Sequence, residues 1–98
     1  MTEINWKTSE NQALIKAILS LETSDETERF LRDLLTSGEI VEFAKRLKTA
    51  RMLAQGIHYT TISEETGLSS TTIARIQHWR KHGMGGYKLA LSRLRSNK

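Results

Sequence analysis

The segment that decides the fold is TTISEETGLSSTTIARIQHWR, residues 60–80. Gly67 tolerates the left-handed backbone that a tight turn between two helices requires, and Ser69 is suited to cap the second helix. Aliphatic residues flank the turn at the spacing of buried helix positions, with a small serine after the first: Ile62, Ser63, Leu68, Ile73 and Ile76. Thr66 departs mildly, because that position is often more apolar. The pattern predicts a helix-turn-helix whose second helix enters DNA; the alternative is a helical hairpin of an unrelated domain.

Charge is divided unevenly along the chain of 98 residues, which has a formal net charge of +4. All acidic residues except Glu64 and Glu65 lie within residues 1–42, whereas every charged residue from Leu68 onward is basic. A solvated helical surface usually mixes the two signs. The one-sided second half therefore indicates a polyanionic partner, which we expect to be double-stranded DNA, or an acidic segment of another protein.

The rest of the chain also follows the helical period. The segments 11–21, 23–35, 36–56 and 87–95 place apolar residues three or four positions apart, and none alternates as a strand would. Two of these segments begin with a capping-box pattern: Thr23 with Glu26, and Thr36 with Glu39. The third is predicted to present one apolar stripe: Ile40, Phe43, Ala44, Leu47, Ala50 and Ala54. Gly56 is a natural stop, and the glycine-rich residues 83–86 form a flexible joint.

We therefore expect an all-α fold of about six helices with a central helix-turn-helix. It forms one domain, residues 1–98, with dimerisation helices at 1–56, the helix-turn-helix at 57–82 and a C-terminal helix at 83–98. A chain this short buries three apolar stripes poorly by itself, which predicts a homodimer. Cysteine is absent, and neither a membrane-spanning apolar run nor a signal-peptide core is found, so we expect a cytoplasmic protein with no membrane partner.

The second helix of the motif carries the predicted DNA contacts. Its short side chains between the buried positions suit close approach to base edges. The residues expected at the base edges are Ser70, Thr71 and Ala74, and His78 is a further predicted DNA contact. Contacts to phosphates are expected from Thr60, Ser69, Thr72, Arg75, Arg80 and Lys81.

Two segments, LLTSGEIVEFAKRL (34–47) and TISEETGLSSTTIAR (61–75), resemble the Trp repressor family, and most of all its branch of small Trp-repressor-related proteins. The resemblance covers about residues 34–94. It implies an intertwined all-α homodimer that binds a palindromic operator with the second helix of the motif. It also implies a ligand pocket whose residues match Leu35, Thr36, Arg46, Thr72 and Arg75.

Two positions depart from the family's ligand pocket. The family has glycine directly after the arginine that matches Arg75, which leaves a slot for the ligand's indole, and here that residue is Ile76. It has serine four positions after that arginine, where this chain has Trp79. We therefore expect no cofactor and do not expect tryptophan to act as co-repressor. Arg46 and Arg75 could alternatively be surface charges or phosphate contacts.

The sequence gives little support to a metal site or to a catalytic site. His78 and His82 share a helix face but have no carboxylate nearby, so a metal site is not expected. No set of nucleophile, base and orienting residue is present, so we do not expect an enzyme. The leading prediction is a sequence-specific transcriptional regulator, in particular a repressor. The alternative is a protein-interaction module that docks an acidic partner on a helix-turn-helix scaffold.

Overall fold

The computed structural model describes residues 3–96, and the side chains of residues 3–95. The described chain contains six helices and no strand, which confirms the expected all-α fold with a central helix-turn-helix. The helices are α1 Ser9–Leu19, α2 Ser24–Leu34, α3 Ser37–Ala54, α4 Tyr59–Thr66, α5 Ser70–His82 and α6 Gly86–Ser96. Within residues 3–96, none of these helices has the length and hydropathy needed to cross a membrane.

Side chains fix the starts of the N-terminal helices. At α3 the capping box is complete: the Glu39 N–H donates to Thr36 Oγ1 at 3.1 Å, and the Thr36 N–H donates to Glu39 Oε1 at 2.9 Å. At α2 only half of the predicted box forms. Thr23 Oγ1 accepts from the Glu26 N–H, but the Glu26 carboxylate accepts from the N–H of Glu22 rather than Thr23. Both arrangements satisfy amide groups that a helix leaves free at its first turn.

The chain divides into two compact units, one up to Ile40 and one from Val41. The first unit contains α1, α2 and the first turn of α3. No residue of α1 or α2 is buried. Large apolar side chains of this unit are between 37% and 77% exposed: Ile4, Trp6, Leu14, Ile18, Leu19 and Leu34. The apolar stripes predicted for these helices are therefore present, and each is only partly covered: Ile15, Phe30, Leu31 and Leu35 are half-buried, and the other members are exposed.

The second unit contains the core, which forms around the helix-turn-helix. Its buried apolar side chains come from the end of α3, from α4, from the turn and from α5: Ala50, Met52, Leu53, Ile62, Leu68, Ile73 and Ile76. Gly67 adopts φ +77°, the left-handed conformation predicted for the turn. The Ser63 hydroxyl donates to the Leu68 carbonyl at 2.8 Å, which ties α4 to the residue that follows the glycine. These contacts hold α5 at a fixed position on α4.

Thr66, the residue that departed from the apolar pattern, has a structural role at the turn. Its side chain is buried, and its hydroxyl donates to the Ile62 carbonyl at 2.7 Å while accepting from the Leu68 N–H at 3.2 Å. The hydroxyl thus satisfies a backbone amide that the turn would otherwise leave buried without a partner.

The stripe predicted for α3 is only partly buried. Ala50 is buried as expected, but Phe43 and Leu47 are exposed, and the other buried residues of α3 are Thr49, Met52 and Leu53. This follows from the packing, because only the C-terminal turns of α3 contribute to the core of the second unit. The apolar residues of its earlier turns lack a covering helix within that unit.

Candidate nucleic-acid interface

Helix α5 is anchored at its start and along one side. Ser69 Oγ accepts from the Thr72 N–H at 3.2 Å and also donates to the Thr72 hydroxyl, so the predicted cap is formed. Ile73 and Ile76 are buried against the core. Because these contacts determine which side of α5 is covered, the period of 3.6 residues assigns the remaining side chains to distinct faces.

One set of exposed side chains lies on the side of α5 away from the core. We call it the outward face, and it consists of Ser70, Thr71, Ala74, His78 and Lys81. It contains no acidic residue, and most of its side chains are short. Because α5 has no acid in its first turn and three basic residues in its last, its charge is one-sided as well. Because the face carries no carboxylate, it can approach a polyanion without electrostatic repulsion from one.

Two further residues expected at phosphates flank this helix. Thr60 is exposed in the first turn of α4, and Ser69 is exposed at the cap of α5. Thr72 is half-buried, and its hydroxyl accepts a hydrogen bond from Ser69 Oγ. The structure therefore leaves Thr60 and Ser69 accessible at the N-terminal ends of the two helices of the motif.

A second face of α5 borders a cavity of about 450 Å³, which we call the α5 pocket. Its lining comes from α3, α5 and α6: Glu42, Arg46, Thr72, Arg75, Ile76, Trp79 and Tyr87. The structure thus brings together five of the seven residues of the predicted ligand site. Leu35 and Thr36 belong to the first unit, where Leu35 ends α2 and Thr36 caps α3.

Two residues of the α5 pocket, Ile76 and Arg46, already contact other parts of the chain. Ile76 is 5% exposed, so its side chain is part of the core beside the pocket. Arg46 is already engaged: its Nε lies 3.5 Å from Glu42 Oε2, and its guanidinium carbon lies 5.6 Å from the centre of the Phe43 ring. Sequence reasoning missed Glu42 and Tyr87. The spacing of four residues between Glu42 and Arg46 was a usable signal, whereas Tyr87 arrives through tertiary packing.

Arg80 does not share the outward face. It lies on the side of α5 that carries Ile73 and Ile76, is half-buried, and its Nε donates to Gln77 Oε1 at 2.8 Å. Lys81, its neighbour, is exposed on the outward face. Of the two adjacent bases expected at phosphates, the structure therefore groups only Lys81 with the predicted base-reading residues.

The two histidine rings at the end of α5 contact each other, and one of them also contacts Trp79. The His78 and His82 ring centroids are 5.2 Å apart with planes tilted by 48°, and the His78 ring meets Trp79 edge-on at 5.4 Å. Over the part of the chain that the structure describes, no three residues of the types that ligate metals come together.

Known proteins resemble this chain in both sequence and fold. The family model described as Trp repressor protein matches residues 9–95. The uncharacterized protein YerC of Bacillus subtilis (strain 168) is 43% identical over 82 residues, which cover 84% of this chain and 79% of that protein.

Two crystal structures have the same arrangement of helices. A TrpR-like protein from Eubacterium eligens ATCC 27750 aligns with a TM-score of 0.87 and 37% identity, over 91% of this chain and 92% of the other. A candidate Trp repressor from Staphylococcus aureus aligns with a TM-score of 0.85 and 36% identity, over 91% and 89% of the two chains. With these structural matches and a family model that covers nearly the whole sequence, this chain belongs to the Trp repressor family.

Proposed function

We propose that this protein is a sequence-specific DNA-binding regulator of transcription, a repressor, that reads the major groove of a palindromic operator as a homodimer. The observation that carries the proposal is the outward face of α5. It is wholly exposed and free of acids, and it belongs to a helix that the core and the Ser69 cap hold rigidly on a helix-turn-helix. Such a helix is the element that enters the major groove in this class of protein.

The proposed DNA contacts divide into base-reading positions, which lie on the outward face, and phosphate-binding positions, of which Lys81 belongs to that face and the others lie beside it. Ser70, Thr71 and Ala74 lie in the first turns of α5, which meet base edges when a recognition helix docks, and His78 extends the same face. Because three of these side chains are short, bridging water and DNA shape carry much of the specificity. Thr60, Ser69, Thr72, Arg75 and Lys81 contact phosphates, which position the protein without reading sequence.

The homodimer is proposed from the uncovered apolar surface of the first unit. Side chains such as Leu14, Ile18 and Leu34 lie on helices without a single buried residue, and a second copy offers an identical surface to cover them. In this arrangement residues 1–56 supply the dimerisation helices, residues 57–82 the helix-turn-helix and residues 83–98 the C-terminal helix.

We also propose that free tryptophan does not control the protein. An incoming indole would have to displace Ile76, whose burial contributes about 1.5–3 kcal/mol, or overpack the site at a cost of about 1–3 kcal/mol. Trp79 already supplies an indole to the lining of the α5 pocket. The Glu42 carboxylate further competes with any ligand carboxylate for Arg46.

Paired substitutions on the outward face test the proposal. Lys81→Ala is expected to weaken binding to all duplexes by similar factors and to reduce the magnitude of the log–log salt slope by about one unit. Thr71→Ala is expected to change which sequences are preferred. Titrations against a panel of duplexes at several salt concentrations separate the two effects.

The opposite assignment, in which Lys81→Ala changes preference and Thr71→Ala does not, would refute this docking. Equal, weak affinity for every duplex, together with tight binding to an acidic peptide, would instead support the protein-interaction module.

A further inference from the structure

A second and larger cavity, of about 760 Å³, lies within the second unit between the end of α3, the end of α5 and α6. We call it the basic cleft. Its polar lining includes one arginine from α3, one from α5, and a lysine and an arginine from α6: Arg51, Arg80, Lys88 and Arg95. Leu91 and Leu94 add apolar surface from α6. Nothing in the proposed docking of DNA uses this cleft.

Among the described residues, no carboxylate neutralises the positive charge in the basic cleft. None of the four basic side chains pairs with a carboxylate among residues 3–95, and the cleft lining includes no acidic residue. Over this range, Arg80 is hydrogen-bonded through its Nε to Gln77 Oε1. Converging cations in a concave, partly apolar setting raise the local potential and attract anions.

The basic cleft does not face the DNA surface proposed above. Arg80 shares the core side of α5, whereas Ala74 and His78 point roughly 120° and 160° away from it around the helix by the period of 3.6 residues. A duplex that contacts Ala74 and His78 would therefore lie away from the side of α5 that carries Arg80. The cleft also has a volume typical of small-molecule sites, which combine apolar lining with a few convergent polar groups.

We propose that the basic cleft binds a small organic anion that carries at least two negative charges on an apolar body, such as an aryl phosphate. Guanidinium groups from three different helices can donate paired N–H groups to the oxygens of the charged head. Leu91 and Leu94 contact the apolar body. Arg80 accordingly acts as a ligand anchor on the inner side of α5 rather than as a phosphate contact to the operator.

Calorimetric titration of phenyl phosphate into the full-length protein, without DNA, tests the site directly. We expect saturable binding that is tighter than for inorganic phosphate or phenol, which each lack one half of the ligand. Arg51→Gln and Arg95→Gln are expected to weaken phenyl phosphate by about tenfold, because each removes a charge-assisted hydrogen bond. Arg93→Gln removes the same charge from the same helix outside the cleft lining and is expected to leave affinity unchanged.

Three results would overturn the assignment. One is the absence of saturable phenyl phosphate binding by the unsubstituted protein, when that protein shows a cooperative melting transition. Another is an equal loss from Arg93→Gln, which would indicate general charge attraction. The third is a loss of duplex affinity in Arg51→Gln and Arg95→Gln when the unsubstituted protein does not bind phenyl phosphate. That result would indicate that the cleft binds DNA phosphates instead. The binding arm contains no DNA, so it succeeds or fails independently of the proposed regulator function.

Discussion

Two buried threonines of the second unit should respond in opposite directions to the same substitution. Thr66 is 4% exposed and its hydroxyl is the acceptor for the buried Leu68 N–H, whereas Thr49 is fully buried and its hydroxyl has no hydrogen-bond partner among residues 3–95. Valine has nearly the same shape as threonine and a similar helix propensity, so neither change creates a cavity. Thr66→Val leaves an amide unsatisfied and should lower the free energy of unfolding by about 1–3 kcal/mol. Thr49→Val removes an unsatisfied hydroxyl and should raise it by about 1 kcal/mol.

The assay is urea unfolding of the two variants and the parent chain at one protein concentration, because oligomerisation makes apparent stability depend on concentration. The two variants should differ by about 2–4 kcal/mol, with similar m-values. A stability change of the same sign in both variants would refute the assigned hydrogen bonds. An unchanged Thr66→Val protein would do so as well, since the turn would then not depend on that hydroxyl.

Three other outcomes follow from the same structure. Gly67→Ala should destabilise by about 1–2 kcal/mol through backbone strain alone, because φ is +77° and no atom lies within 4 Å of the added methyl. Gly86→Ala, equally open but without positive φ, is its control, and equal effects in urea unfolding would contradict the reasoning. Calorimetry should detect no tryptophan binding to the parent chain, while Ile76→Gly should gain it; micromolar binding by the parent with tighter operator affinity would refute the closed pocket. Sedimentation should show a dimer at micromolar concentration, and a stable folded monomer would rule out the proposed assembly.

The local features of the fold could be predicted from the sequence because they depend on neighbours in the chain. Gly67 at the turn, Ser69 at the cap and the pair Thr36 and Glu39 each act within a few residues, and all formed as expected. The role of Thr66 was not predicted. Its hydroxyl replaces an apolar contact with two backbone hydrogen bonds, and a pattern of apolar positions contains no information on such a replacement.

The candidate site could be predicted only where α5 alone determines it. The exposure of Thr71, Ala74 and Lys81 follows from the helical period once Ile73 and Ile76 are assigned to the core. Two features depend on how α6 packs after the glycine joint, which periodicity does not specify. They are the position of Tyr87 at the α5 pocket and the formation of the basic cleft. The turns of the α3 stripe that are buried could not be predicted for a related reason, since the apolar face of a helix does not reveal which of its turns a neighbour covers.

The most direct test of the proposed function is selection of bound sequences from a pool of random duplexes by the full-length protein. A dimer with two outward faces predicts enrichment of a palindrome whose half-site centres lie about 10 base pairs, one helical turn, apart. Thr71→Ala, selected in parallel, should enrich a palindrome altered within each half-site. Recovery of no common sequence, or of a single site without two-fold symmetry, would contradict the account of a dimeric, sequence-reading regulator.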